Sequence, residues 1–309
     1  MVVPVVIDTD PGQDDAVAIL VALAARDQLD VRAITTVAGN VGVEKTTANA
    51  IRICDLAGRT DVPVFAGADR PLVFPLQTAE FVCGADGLAG ADLPQPGRPA
   101  DAGHAVEQLI TIARGCDPGL LTICALGPLT NIALALRLAP DIAGRIDRIV
   151  MMGGARDLGN MTPAAEFNVY CDPHAAAIVL SSGVPVVMFG LHVTLDAVPE
   201  QAEMEAIAAL GNRTSRVVHG MLSRPRPGGL GTAGHPMHDP CTVAWLLWPD
   251  LFDGRDCHVH VETGDGPLRG RTTIDWNGRL GLPPNAHVIG SIDARALFAN
   301  VTECLARLP

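Results

Sequence analysis

The sequence predicts an α/β protein with a mainly parallel, open and twisted sheet flanked by helices. Short apolar runs typical of buried strands alternate with helical patterns along most of the 309 residues. Strands of a parallel sheet are buried on both faces, so they read as continuous apolar segments. Hydrophobic residues make up 48% of the chain, which is enough for a large core. No charged or low-complexity linker interrupts the sequence. We therefore expect one domain over residues 1–309.

Each predicted element follows from apolar runs and helix boundary signals. Acidic residues directly after the first strand favour a helix start, where they meet the positive end of the helix dipole. Gly58 is typical of a helix end, and Asp172-Pro173 of a helix start. The predicted strands are residues 2–7, 31–37, 120–125, 146–152 and 184–189. The predicted helices are residues 14–25, 43–57, 102–114, 129–138 and 174–182.

Two stretches break this alternation. Residues 65–103 and 223–240 are rich in Gly and Pro, and long loops within compact domains are usually functional or mobile. After about residue 250 the pattern predicts short strands at 257–261 and 272–275, followed by a helix over residues 294–307.

The composition excludes several classes of function. The net charge of −12 argues against nucleic acid as a partner, because phosphate binding needs a basic surface. The eight cysteines include no C-x-x-C pair, which argues against a zinc site or a disulfide framework. The N-terminus lacks a basic signal-peptide region, and the apolar run 16–25 is too short to span a membrane. We expect a cytoplasmic protein with no membrane partner.

Four carboxylates lie within eight residues directly after the first strand, at Asp8, Asp10, Asp14 and Asp15. Such close charges repel one another and stay ionised only where a cation or hydrogen-bond donors compensate them. Helix capping explains one or two of them, not four. The cluster therefore predicts a divalent metal site with oxygen ligands. An alternative is an aspartyl-phosphate phosphatase with Asp8 as nucleophile and Asp10 as acid, which the extra acidic pair disfavours.

Further polar loops follow other predicted strands. Asn160, Glu166 and Asn168 precede the Asp172 helix start, and capping by Asp172 would leave those three side chains free for a hydroxyl-rich ligand. Asp239 precedes Pro240 at the start of an apolar helix, where it could lend its carboxylate to a metal. Ligands of open parallel sheets bind beyond the carboxyl ends of the strands, so these loops should converge on one rim.

Taken together, seven segments resemble the nucleoside hydrolase family, the inosine-uridine-preferring nucleoside N-ribohydrolases. They occur in the family's order and cover nearly the whole chain. The matching segments are residues 8–16 (DTDPGQDDA), 37–40, 63–67, 127–131, 151–154, 166–168 and 238–240. The resemblance implies the Rossmann-like fold of that family. It also implies calcium-dependent hydrolysis of ribonucleosides to ribose and free nucleobase.

The resemblance also implies roles for individual residues. Asp10, Asp15, Asp239 and the backbone carbonyl of Leu126 would bind Ca²⁺, with Asp10 as general base for a metal-activated water. His238 would be the acid that protonates the leaving base. The residues that would contact the substrate are Asp14, Asn40, Met152, Asn160, Glu166, Phe167, Asn168 and Cys83. Relatives are commonly dimers or tetramers, so a homodimer or homotetramer is expected.

The base-binding half departs from the family pattern. Many relatives have His where Cys83 stands, and the segment 224–229 replaces aromatic contacts. The nucleobase is therefore left open by the sequence. Two alternatives remain: a hydrolase of another N-ribosylated compound, and a calcium-dependent ribose- or nucleoside-binding protein without turnover.

Overall fold

The alternating apolar runs build one eight-stranded sheet in the computed structural model, which describes residues 2–224 and 234–309. The strands are β1 (Val3–Thr9), β2 (Leu29–Thr36), β3 (Val64–Ala66), β4 (Leu121–Ala125), β5 (Ile146–Met152), β6 (Val186–Phe189), β7 (Phe252–Cys257), β8 (Val259–Val261), β9 (Thr272–Ile274) and β10 (Ala286–Ile292). The sheet order is β3-β2-β1-β4-β5-β6-β10-β7. All neighbours pair in parallel except β10 and β7. Strands β8 and β9 form a separate antiparallel pair.

Helices cover both faces of the sheet. They are α1 (Gln13–Ala24), α2 (Val43–Leu56), α3 (Glu80–Cys83), α4 (Ala105–Gly115), α5 (Thr130–Leu138), α6 (Phe167–Cys171), α7 (Pro173–Leu180), α8 (Leu191–Thr194), α9 (Gln201–Ala209), α10 (Arg213–Leu222), α11 (Pro240–Leu247) and α12 (Ala294–Ala306). Alternate residues of β1 enter opposite cores, because successive side chains of a strand point to opposite faces. Val5 and Ile7 pack with α1 and α12, whereas Val6 packs with α5 and α7.

The predicted α/β class and parallel sheet are confirmed, and most elements in the first two-thirds agree within a few residues. The prediction of a single strand over 257–261 is wrong, because these residues belong to two strands, β7 and β8. Cys257 pairs with Ala286 in the large sheet, while Val259 pairs with Ile274 in the small one. Strand β10 and helices α9 and α10 escaped prediction. The β10 segment contains His, Gly and Ser, and it becomes a strand by pairing with β6 and β7.

The carboxyl ends of the central strands lie side by side. Asp8 in β1 is in register with Thr35 of β2 and with Ala125 of β4. The chain segments that leave these strands therefore emerge at one edge, as the sequence predicted. Within the described chain, none of the helices combines the length and apolar character needed to cross a membrane.

A buried amide ties three of these strand ends together. The Asn131 side chain, at the start of α5, donates to Asp8 Oδ1 at 2.8 Å and to the Thr36 carbonyl at 3.0 Å. Its Oδ1 accepts from the Ala68 N–H at 2.9 Å, in the segment after β3. Asn131 is fully buried. One side chain thus links the ends of β1 and β2 to the segment after β3.

Replacement of this amide should destabilise the protein. Asn131→Ala leaves partners on three segments unsatisfied, and each buried orphaned group costs roughly 1–3 kcal/mol. We expect the free energy of unfolding to fall by at least about 2 kcal/mol, measured by urea denaturation. Asn277→Ala, at an exposed position, is the control and should change it by less than about 0.5 kcal/mol. Equal stability of the two variants would show that the amide tie does not support the sheet edge.

Candidate active site

A pocket opens at the carboxyl edge of the sheet. Its wall includes twelve of the thirteen residues that the sequence assigned to the site. These twelve are Asp10, Asp14, Asp15, Asn40, Leu126, Met152, Asn160, Glu166, Phe167, Asn168, His238 and Asp239. They come from loops after β1, β2, β4 and β5, from α6 and from the start of α11. The fold therefore gathers residues spread over more than two hundred positions.

Asp15 is held rigidly at the first turn of α1. Its Oδ1 accepts from the Thr9 hydroxyl at 2.6 Å, and its Oδ2 from the Gly12 N–H at 2.9 Å and the Asn40 side-chain amide at 3.2 Å. Burial and the neighbouring negative charge of Asp14 raise the pKa of Asp15 to about 6. These donors orient the carboxylate but compensate its burial only in part.

Asp10 lies between two glycines that allow the backbone to approach its carboxylate. A Cβ on Gly39 would lie 2.1 Å from Oδ2, and one on Gly127 would lie 2.3 Å from Oδ1. The Asn40 N–H donates to Oδ2 at 2.6 Å. Burial raises the pKa of Asp10 well above its usual value, and the charges of Asp15 and Asp14 raise it further.

Asp239 precedes α11, as predicted, but its side chain makes no capping hydrogen bond there. Burial, followed by the charges of Asp15, Asp14 and Asp10, raises the pKa of Asp239 well above its usual value. Asp239 has helical backbone angles (φ −70°, ψ −38°), unlike the extended conformation usual for a capping residue. The carboxylate is thus directed to the other acids and not to its own helix.

The donor set of this cluster fits a metal ion. One oxygen each of Asp14, Asp15 and Asp239 lies within 4.8 Å of the others. This grouping contains Asp14, whereas the predicted ligand set contained Asp10. No Lys or Arg of residues 2–224 and 234–309 forms an ion pair with any of these four carboxylates. Buried like charges without such a partner need a bound cation or protons.

Asp8 does not belong to this group. It is fully buried beneath the rim, and its Oδ1 accepts from the Thr35 hydroxyl at 2.6 Å as well as from Asn131. Burial raises the pKa of Asp8 to about 7, and Oδ2 has no hydrogen-bond partner in the described part of the chain. Because Asp8 does not line the pocket, its predicted role as a phosphatase nucleophile has no geometric support.

Asn168 joins two strand ends on the opposite wall. Its side-chain amide donates to the Leu126 carbonyl at 2.7 Å, after β4, and to the Met152 carbonyl at 3.1 Å, at the end of β5. The Leu126 carbonyl, which was predicted to bind the metal, is therefore held in place by Asn168, which was predicted to bind the substrate. A carbonyl oxygen has two lone pairs, so one is left for a further partner.

The expectation that Asn160, Glu166 and Asn168 have free side chains is corrected. Glu166 itself caps α6, and its carboxylate accepts from the N–H groups of Gly154 (2.9 Å), Asn168 (2.8 Å) and Val169 (3.1 Å). Asn160 Oδ1 accepts from the Phe167 N–H at 2.8 Å. These side chains are engaged because the N–H groups at the start of α6 have no acceptor within the helix, and Glu166 and Asn160 supply one. Burial raises the pKa of Glu166 to about 7.

His238 lines the pocket from the turn before α11. Its Nδ1 lies 2.7 Å from the hydroxyl oxygen of Thr194, the last residue of α8. Sequence reasoning missed Thr194, because this contact joins segments that are 44 residues apart. The available signal was the position of Thr194 shortly after the end of β6.

Cys83 is the predicted site residue that is absent from the pocket wall among the residues described. Its thiol lies 3.1 Å from the Ala79 carbonyl and 3.5 Å from the Asn40 carbonyl. Burial, together with the charge of Asp10, raises the pKa of this thiol to about 12. The neighbouring Phe81, whose side chain is 59% exposed, lines the pocket instead. The signal available in the sequence was an aromatic residue two positions before Cys83.

The rest of the pocket lining is apolar, and sequence reasoning missed these residues. They are Ala79, Phe81, Val82, Met161, Leu191, Leu195 and Pro236. The pocket is therefore lined by carboxylates and amides as well as by apolar side chains. The segment 224–229, which the sequence assigned to base recognition, lies outside the described residues except for Arg224.

Comparisons with known proteins agree with this geometry. The family model for inosine-uridine preferring nucleoside hydrolases matches residues 5–299. An uncharacterized protein of Schizosaccharomyces pombe is 46% identical over 309 residues, which cover 99% of each chain. The pyrimidine-specific ribonucleoside hydrolase RihA of Salmonella paratyphi A is 44% identical over 310 residues, again 99% of each.

A solved structure described as the plant nucleoside hydrolase PpNRh1 superposes with a TM-score of 0.91 at 32% identity. The match covers 98% of this chain and 99% of that one. Likeness in sequence and in structure thus extends over nearly the full length. The chain belongs to the inosine-uridine preferring nucleoside hydrolase family, whose members are N-ribohydrolases.

Proposed function

We propose that this enzyme uses Ca²⁺ to hydrolyse the N-glycosidic bond of ribonucleosides, releasing ribose and free nucleobase. The observation that carries the proposal is a pocket lined both by apolar side chains and by a carboxylate cluster that has no Lys or Arg partner among the described residues. Such a pocket suits a ligand with a diol at one end and a flat, weakly polar ring at the other. We also propose that residues 1–309 act as one domain.

The proposed metal ligands are Asp10, Asp15, Asp239 and the Leu126 carbonyl, with Asp14 beside them. All are oxygen donors, which favours a hard cation, and the large flexible shell of Ca²⁺ suits this mixture of carboxylates and a carbonyl. When bound, the ion would supply positive charge that binds the ribose diol and makes a water more acidic.

Asp10 acts as the general base in this mechanism and takes a proton from the attacking water. The remaining carboxylates stabilise the positive charge that develops on the ribosyl ring as the bond to the base breaks. Thr9, Gly12 and the Asn40 side chain orient Asp15 beforehand, and the Asn40 N–H orients Asp10. Direct attack by water inverts the configuration at the anomeric carbon, since no covalent intermediate forms.

The other polar residues bind the sugar. Asp14, Asn40 and Asn168 bind the 2′- and 3′-hydroxyls, and Asn160 and Glu166 bind the 5′-hydroxyl. The hydrogen bonds that Glu166 and Asn160 make to backbone groups hold them in place without using every lone pair of their oxygens. A substrate hydroxyl can donate to a lone pair that remains.

The base occupies the apolar part of the pocket, where His238 protonates it as it leaves. We propose that pyrimidine ribonucleosides are the preferred substrates, because the relative at 44% identity is a pyrimidine-specific ribonucleoside hydrolase. A different N-ribosylated compound is the second candidate, since Cys83 and the segment 224–229 depart from the family pattern. A contact between Cys83 and the base, a cytoplasmic location and assembly into a homodimer or homotetramer stay predictions from the resemblance.

Removal of the general base should abolish turnover without unfolding the protein. Asp10→Asn is nearly isosteric, and loss of a general base lowers kcat by roughly 10²–10⁴-fold. Uridine hydrolysis is the assay, and the circular dichroism spectrum reports the fold. Asp117→Asn makes the same change at an exposed position that is not part of the pocket wall and should keep parental turnover. Near-parental turnover of Asp10→Asn would contradict the role assigned to Asp10.

Metal removal should lower both turnover and thermal stability. Treatment with a calcium chelator should abolish turnover and lower the Tm, and added Ca²⁺ should restore both. A ligand at 100 times its Kd stabilises the folded state by about 2.7 kcal/mol. In Asp239→Asn the Ca²⁺-induced rise in Tm should disappear. Full activity of rigorously metal-free protein would refute the calcium requirement.

A panel of nucleosides tests the substrate class. We expect kcat/KM for uridine and cytidine to exceed that for inosine, adenosine and guanosine by at least about tenfold, a difference of about 1.4 kcal/mol in activation free energy. Chromatography of the released bases is the measurement. Faster turnover of purines would overturn the pyrimidine preference but keep the hydrolase function. Binding without release of ribose would instead favour the binding-protein alternative.

A further inference from the structure

We propose that Thr194 is a positioning residue for His238. Its hydroxyl fixes the imidazole ring so that Nε2 is the nitrogen that serves the leaving base. The inference rests on the proposed function of His238 as the acid. It adds a residue that does not touch the substrate, since Thr194 is absent from the pocket wall among the residues described.

The position of Thr194 is set by the sheet. Gly190 directly follows β6, and the Thr194 N–H donates to the Gly190 carbonyl at 3.1 Å within the single turn of α8. Thr194 is fully buried, so water cannot compete for its hydroxyl. The distance of 2.7 Å between Thr194 Oγ1 and His238 Nδ1 is typical of a strong hydrogen bond.

A second contact holds the backbone beside His238. The Met237 N–H donates to the Ala197 carbonyl at 2.7 Å, three residues after Thr194. The segment after β6 thus binds the segment before α11 twice, once through the backbone and once through the imidazole. His238 is only 6% exposed yet reaches the pocket. The Thr194 hydroxyl contacts the ring itself, and a hydrogen bond to Nδ1 restricts rotation of the imidazole.

The contact matters because the two ring nitrogens are not equivalent. Which nitrogen carries the transferable proton is set by the hydrogen bond that the other nitrogen makes. In the proposed step the ring carries a proton on both nitrogens: Nδ1–H donates to the Thr194 oxygen, and the Nε2 proton passes to the base. The electron pair of the breaking N-glycosidic bond stays with the base, and the ring keeps its Nδ1–H. Thr194 therefore holds the ring in one orientation throughout the step.

The test compares two substrates that differ in their need for an acid. Uridine has a poor leaving group, whereas 4-nitrophenyl β-D-ribofuranoside releases a stable anion without protonation. General acid catalysis contributes roughly 10²–10⁴-fold, so His238→Ala should lose about that much kcat on uridine and little on the nitrophenyl riboside. Thr194→Val keeps the shape of the side chain but removes the hydroxyl. We expect kcat of Thr194→Val on uridine to be at least about tenfold below the parental value, with KM nearly unchanged. Its turnover of the nitrophenyl riboside should stay at the parental level.

Two further variants separate positioning from stability. Thr194→Ser retains a hydroxyl and should restore most of the turnover of uridine. Thr214→Val removes another fully buried hydroxyl, 2.8 Å from the Pro309 carbonyl. It should leave the ratio of kcat on uridine to kcat on the nitrophenyl riboside unchanged. Equal loss on both substrates by Thr194→Val would overturn the inference in favour of a structural role. If Thr194→Val keeps parental turnover of uridine while His238→Ala is impaired, the positioning role of Thr194 is wrong but the acid role of His238 stands. Parental turnover of uridine by His238→Ala would refute the proposed acid itself.

Discussion

Mutual repulsion among buried carboxylates is the constraint on which the site depends. Asp10, Asp15 and Asp239 are each at most 4% exposed, and each acquires part of its raised pKa from another acid of the cluster. Such an arrangement costs folding free energy unless protons or a cation compensate it. The surrounding donors, mainly Asn40 and Thr9, orient the acids but supply no positive charge. The same imbalance that is unfavourable for folding favours the binding of a cation.

Side-chain amides connect the strand ends at this edge of the sheet. Asn131, Asn168 and Asn40 each connect segments that leave different strands of the sheet. An amide carries donors and an acceptor without adding charge, so it can join strand ends close to carboxylates without neutralising them. The hydrogen bonds hold the polar groups of the rim in one arrangement, and preorganised polar groups of this kind are what electrostatic stabilisation of a transition state requires.

The two kinds of lining residue come from different parts of the fold. Asp10, Asn40 and Leu126 follow shortly after strands of the sheet, while Phe81 and Met161 belong to longer connecting segments. The polar part of the pocket is therefore positioned by the sheet, and much of the apolar part is positioned by loops.

The sequence by itself determined the fold class, the location of the acidic cluster and nearly every polar residue of the pocket. These properties follow from local patterns, namely apolar periodicity and a dense D-x-D-x-x-x-D-D motif, together with a recognisable order of motifs. Only the tertiary structure decided that β10 is a strand, that Glu166 caps α6, that Cys83 lies behind the wall and that Thr194 meets His238. Each of these depends on contacts between segments that are far apart in the chain or on which way a side chain points. Long-range contacts and side-chain directions leave no periodic pattern in the sequence, because both are set by the packing of the whole sheet edge.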